Sequence, residues 1–92
     1  MENQHRKISG YRELSQQEID LMNEIKALGP LIEGVYLKIE EHLLQQHTNK
    51  LDAVESLRLK EASPFVWANS AKKDLQTGLM ALTRAVAQPT FF

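Results

Sequence analysis

From Ile19 to Leu43 the apolar residues Ile19, Met22, Ile25, Leu28, Ile32, Val35, Ile39 and Leu43 recur every three or four positions. An α-helix returns to one face at that spacing, whereas a half-buried strand alternates every second residue. Only Pro30 interrupts the run. An interior proline removes one amide donor and crowds the preceding turn. Gly29-Pro30 can therefore end one helix and begin another, or kink a single long one. The stripe resumes in phase beyond Pro30, which favours the kink. The start is marked by Ser15-Gln16-Gln17-Glu18, a capping box with Leu14 placed as a hydrophobic staple.

The rest of the chain reads the same way. Gln46-His47-Thr48-Asn49-Lys50 has the composition of a turn, and a short helix over about 51–61 offers Leu51, Val54, Leu57 and Leu59 as contacts. Ser63 is placed to cap a second long helix, with Pro64 at its first position, where no amide is missed. Trp67, Ala68, Ala71, Leu75, Leu79, Leu82 and Val86 then repeat at helical spacing until Pro89. Phe91-Phe92 reads as a packed tail or a frayed end.

Two helices of about 24–31 residues would be about 36–46 Å long. A chain of 92 residues cannot bury both along their whole length. Ala68, Ala71, Gly78, Ala81 and Ala85 permit close approach of another backbone, which would offset the helix penalty of Gly78. The expected fold is all-α and one domain over residues 1–92. A short basic N-terminal arm (1–14) leads into a kinked long helix, which forms a hairpin with an antiparallel C-terminal long helix. The hairpin is expected to complete its core as a compact homo-oligomer.

The formal net charge is -1, from 11 Lys+Arg and 12 Asp+Glu. That is low for a wrap-around binder of duplex nucleic acid, and no basic recognition helix is evident. The charges are uneven. The first fourteen residues and the last thirty are net basic, and the middle is acidic. If the two ends meet, they form a cationic patch that the total conceals. The absence of cysteine excludes disulfides, thiolate nucleophiles and Cys-based zinc sites, and fits a reducing compartment. No apolar run is long enough to span a bilayer, and the N-terminus has no signal-peptide core.

Catalytic chemistry finds little support. His42 and His47 are five apart, which is not the same-face spacing of a helical metal site. No nucleophile elbow is present. The segment His5-Arg6-Lys7-Ile8-Ser9-Gly10-Tyr11-Arg12 is more informative. Lys7 and Arg12 can pair with phosphate, Gly10 permits close backbone approach, and Tyr11 offers a ring on which a base can stack. The same segment would also serve as an arm docked through Ile8 and Tyr11. Lys26 flanks the apolar stripe, with Met22 one turn before it and Pro30 one turn after, so its stem can lie on apolar surface while its ammonium faces a cleft. Lys72, Gln76 and Thr77 read as a polar back to the last helix, with Gln76, Thr77 and Arg84 able to bond a neighbour or a ligand.

HRKISGYRELS (5–15), EIDLMNEIKA (18–27) and DLQTGLMALTRAVAQP (74–89) resemble the phage anti-CBASS cyclic-nucleotide sponges. That group shares a small hairpin domain with some anti-Thoeris sponges. The resemblance implies a helical protein, assembled as a hexamer, that sequesters cyclic dinucleotides such as cyclic GMP–AMP without cleaving them. It would act in the cytoplasm of the infected host and keep CBASS effectors inactive. It implies that Tyr11 stacks on a base and Lys26 meets a phosphate, and the segment around Tyr11 adds Lys7, Ser9, Gly10 and Arg12 as candidate ligand-binding residues. It also implies a second pocket, for cyclic trinucleotides, to which Lys72 and Thr77 would contribute. The family pattern has Arg where this chain has Lys72, and Thr near Leu28. No cofactor, metal, membrane or duplex nucleic acid is implied. The competing readings are a small helical protein-interaction module and a DNA-binding phage regulator.

Overall fold

The computed structural model describes residues 12–49 and 52–92, which form α1 (Gln16–Thr48), α2 (Ala53–Ala62) and α3 (Pro64–Ala87). The capping box forms as expected. Ser15 Oγ accepts from the Glu18 amide at 3.2 Å, and the Ser15 amide donates to Glu18 Oε1 at 2.8 Å. Helix α1 continues through Pro30 for 33 residues in all. The proline bends it and leaves the Lys26 carbonyl without its usual helical donor. Pro64 opens α3 at its first turn.

Helices α1 and α3 pack against each other as an antiparallel hairpin. The shared grooves bring Met22 and Lys26 together with Leu79, Met80 and Thr83, and bring Glu33 and Tyr36 together with Lys72. The molecule is a rod, 64 × 25 × 16 Å, with a radius of gyration of 20.0 Å. A compact domain of this length would have about 12 Å.

The interior is correspondingly thin. Leu43 and Leu59 are the buried apolar residues among those described. The apolar stripe of α1 divides into two lines. Ile19, Met22, Ile25 and Ile32 are partly covered, while Leu21, Leu28, Leu31, Val35 and Ile39 stay exposed. One facing helix cannot cover an apolar surface this wide. Gly78 has no atom within 4 Å of where a Cβ would stand, so no close approach within the chain accounts for it.

Several local expectations need correction. The turn begins later than its composition implied, because His47 and Thr48 are still helical. His47 Nδ1 lies 2.7 Å from the Leu43 carbonyl, and its ring packs on Phe65 with centroids 4.9 Å apart. Thr48 Oγ1 donates to the Gln45 carbonyl at 3.2 Å. In α2 the inward residue is Leu59, while Val54 and Leu57 face outward at 79% and 56% exposure. Asp52 caps α2 by accepting from the Glu55 amide at 2.8 Å, and Leu51 lies outside the described residues. Ser63 does not cap α3 through its side chain. Its hydroxyl donates back to the Lys60 carbonyl at 3.2 Å, and its backbone is left-handed at φ 50°, ψ 52°. An L-residue adopts that conformation at a cost of about 1–2 kcal/mol, which the sharp α2–α3 corner requires. Trp67, expected on the apolar stripe of α3, is 71% exposed.

Candidate functional site

Arg12 joins the two ends of the hairpin. It lies just before the capping box, and its guanidinium reaches the last turn of α3. Nε donates to the Ala87 carbonyl at 3.1 Å and Nη2 to the Val86 carbonyl at 2.7 Å. The final carbonyls of a helix lack helical donors and form the negative end of its dipole, so a cation suits them. The same guanidinium grips Glu18 as a fork, Nη1 to Oε1 at 3.1 Å and Nη2 to Oε2 at 2.5 Å. Arg12 and the end of α3 therefore meet.

The Glu18 carboxyl is drawn down to about 2, first by Arg12 and next by the Ser15 amide. A carboxylate depressed on folding adds stability that is complete above its unfolded value near 4.5 and is lost as pH falls toward 2. Thermal unfolding followed from pH 5 to about pH 2 should show a falling midpoint. Glu18→Gln should flatten that fall.

One helical turn inward from the clamp, α1 and α3 enclose a groove of about 450 Å³. Met22, Ile25, Leu79 and Met80 supply apolar walls, and Asn23, Lys26 and Thr83 supply polar groups. Lys26 is exposed along this wall. A mainly apolar cleft with a few convergent polar groups is the usual form of a small-molecule site.

A second groove of about 390 Å³ lies farther along the hairpin. It holds Pro30, Glu33, Tyr36, Lys72 and Gln76, and Lys72 Nζ stands 5.8 Å from the centre of the Tyr36 ring. Tyr36 escaped notice in the sequence because it sits between two residues of the apolar stripe and has no charged motif around it. Its relation to Lys72 exists only once the hairpin closes. Thr77, expected beside Lys72, is exposed and lines neither groove. Arg84 donates to the Phe91 carbonyl at 2.7 Å and draws the tail back along α3.

Of the residues singled out in the sequence, Lys7, Ser9, Gly10 and Tyr11 lie outside the described residues. Lys26, Lys72 and Thr77 are distributed as above, and Arg12 is engaged by the protein itself. Among the described residues no cluster of three or more His, Cys, Asp or Glu side chains is placed to hold a metal ion. No helix among them is long and apolar enough to cross a membrane.

Comparison with known proteins supplies the context. The family described as Acb2/Tad1, hairpin domain, matches residues 5–87. The chain belongs to this family. Anti-CBASS protein 2 of Pseudomonas phage JBD67 is 43% identical over 105 residues, which cover 97% of this chain and 97% of that protein. The family match includes the Tyr11 segment, Lys26 and the whole of α3. An Acb2/Tad1 hairpin domain is accordingly the unit in which both grooves and the Arg12 clamp are built.

Proposed function

We propose that this Acb2/Tad1 hairpin protein is a non-catalytic sponge for cyclic dinucleotides such as cyclic GMP–AMP. By binding the messenger inside the infected bacterium it keeps CBASS effectors inactive. Similarity to an anti-CBASS protein over nearly the whole chain supports the biological role. The observation that carries the chemistry is Lys26 on an apolar groove, one turn from the clamp that holds the segment following Tyr11.

Each part has a task. The Lys26 ammonium pairs with a phosphate. Met22, Ile25, Leu79 and Met80 offer apolar surface beside it on which the ligand can rest. Tyr11 stacks on a base, and Lys7, Ser9 and Gly10 bring further donors and close backbone approach. None of this requires a nucleophile, a general acid or a metal, so the bound molecule leaves unchanged.

The apolar line from Leu21 to Ile39 supports a homo-oligomer, with a hexamer as the assembly the family resemblance implies. The groove around Lys72 and Tyr36 is a second site, for cyclic trinucleotides, with Thr77 available to a neighbouring copy. The whole chain acts as one domain.

Titration calorimetry with cyclic GMP–AMP tests the reading, followed by recovery of the ligand after heat denaturation. Saturable binding and intact ligand are expected. Linear product would overturn sequestration, and salt-sensitive binding to duplex DNA in place of cyclic GMP–AMP would favour a DNA regulator. Lys26→Ala should weaken cyclic GMP–AMP binding about tenfold or more, the scale of a hydrogen bond to a charged group. Dissociation of the oligomer with unchanged intrinsic affinity would make Lys26 an assembly residue.

A further inference from the structure

We propose that Arg12 is a positioning residue that rivets the start of α1 to the end of α3, and that it is not a phosphate ligand. The sequence places it among the cations of a binding arm. The structure assigns its donors elsewhere. A guanidinium has five N–H groups. Four of them serve the Val86 carbonyl, the Ala87 carbonyl and the two Glu18 oxygens. One N–H on Nη1 remains, so a phosphate held by two bonds would have to displace part of a carboxylate already held in bidentate fashion.

The clamp joins three parts of the fold. Glu18 belongs to the capping box at the start of α1, and Val86 and Ala87 are the last residues of α3. The Arg12 guanidinium ties the two helix ends to each other. The groove that contains Lys26 begins one turn inward on both helices, at Met22 and Thr83. The clamp thus sets the spacing of α1 and α3 at the mouth of the groove that holds Lys26 before any ligand arrives. Such preorganisation lowers the ordering cost of binding.

This inference rests on the sponge reading, and its test separates the two. Binding of cyclic GMP–AMP is measured for the full-length protein, Arg12→Ala, Arg12→Lys and Glu18→Gln. Glutamine still satisfies a capping box, so Glu18→Gln removes the charge and keeps the helix start. The clamp predicts weaker binding in all three variants, about tenfold for Arg12→Ala, with little rescue by lysine, whose three N–H donors on one nitrogen lack the planar fork that reaches four acceptor atoms. A direct phosphate contact predicts the opposite response at Glu18: loss of a competing carboxylate would tighten binding. Amide exchange over residues 12–15 supplies a second readout. It should quicken in Glu18→Gln while the α1 and α3 interiors keep their protection. Unchanged exchange there, or tighter binding by Glu18→Gln, would overturn the clamp. Wild-type protein that takes up no cyclic GMP–AMP would instead sink the sponge reading, while exchange would still report on the clamp.

Discussion

Tyr11→Ala will weaken binding of cyclic GMP–AMP about a hundredfold and leave the sedimentation coefficient of the protein unchanged. Stacking a base on an aromatic ring contributes about 1–3 kcal/mol, and alanine removes the whole platform. The upper part of that range applies because a cyclic dinucleotide is rigid and the lost stack cannot be replaced by a different ligand pose. Titration calorimetry reads the affinity, and sedimentation velocity checks the assembly. Tyr11→Phe separates ring from hydroxyl, since it keeps the stacking surface and should bind nearly as well as wild type. Equal affinity in Tyr11→Ala would remove the residue from the site.

The second large effect concerns assembly. Leu28 and Val35 are 41% and 57% exposed on the uncovered flank of α1. Replacing both by glutamate changes little in a lone hairpin, because the two positions already face water. If copies pack there, each substitution removes about 1.5–3 kcal/mol of apolar burial per subunit and leaves a carboxylate that must be neutralised or paired. The expected result is a helical chain, unchanged by circular dichroism, that sediments as a monomer at micromolar concentration. Its affinity for cyclic GMP–AMP should collapse as well, if neighbouring copies share the pocket. An intact oligomer in the double variant would place the interface on another face.

Much of this architecture was legible in the residues. Ser15 and Glu18 announced the start of α1, and both capping bonds are present. The resumption of the stripe after Pro30 indicated one helix, and one helix is found. Pro64 marked the first turn of α3. The misreadings have separate physical sources. His47 and Thr48 stay helical beside Phe65, although their composition belongs to a turn. Ser63 serves the end of α2 and leaves α3 without its hydroxyl, because a left-handed residue makes the corner. Val54 and Leu57 form a helical repeat with Leu51, yet α2 is so short that Leu59 alone suffices to anchor it.

The grooves were less legible than the helices. Lys26 could be singled out by its apolar neighbours at i-4 and i+4, and it does stand on a groove. Tyr36 carries no such mark, and its pairing with Lys72 needs the hairpin register. Arg12 looked like one more cation in a basic arm. Its attachment to α3 spans more than seventy positions, and only the net basic character of both chain ends hinted that they meet.

The uncovered flank of α1 has a consequence for timing within an infection. If copies associate along it, association follows mass action, and the share of assembled protein rises steeply with total concentration. A pocket completed between copies would be scarce in the first moments of expression and abundant a few doublings later. Messenger capture would then show a dose threshold instead of growing in proportion to each chain synthesised. A cell entered by several phage genomes at once would cross that threshold sooner than a cell entered by one.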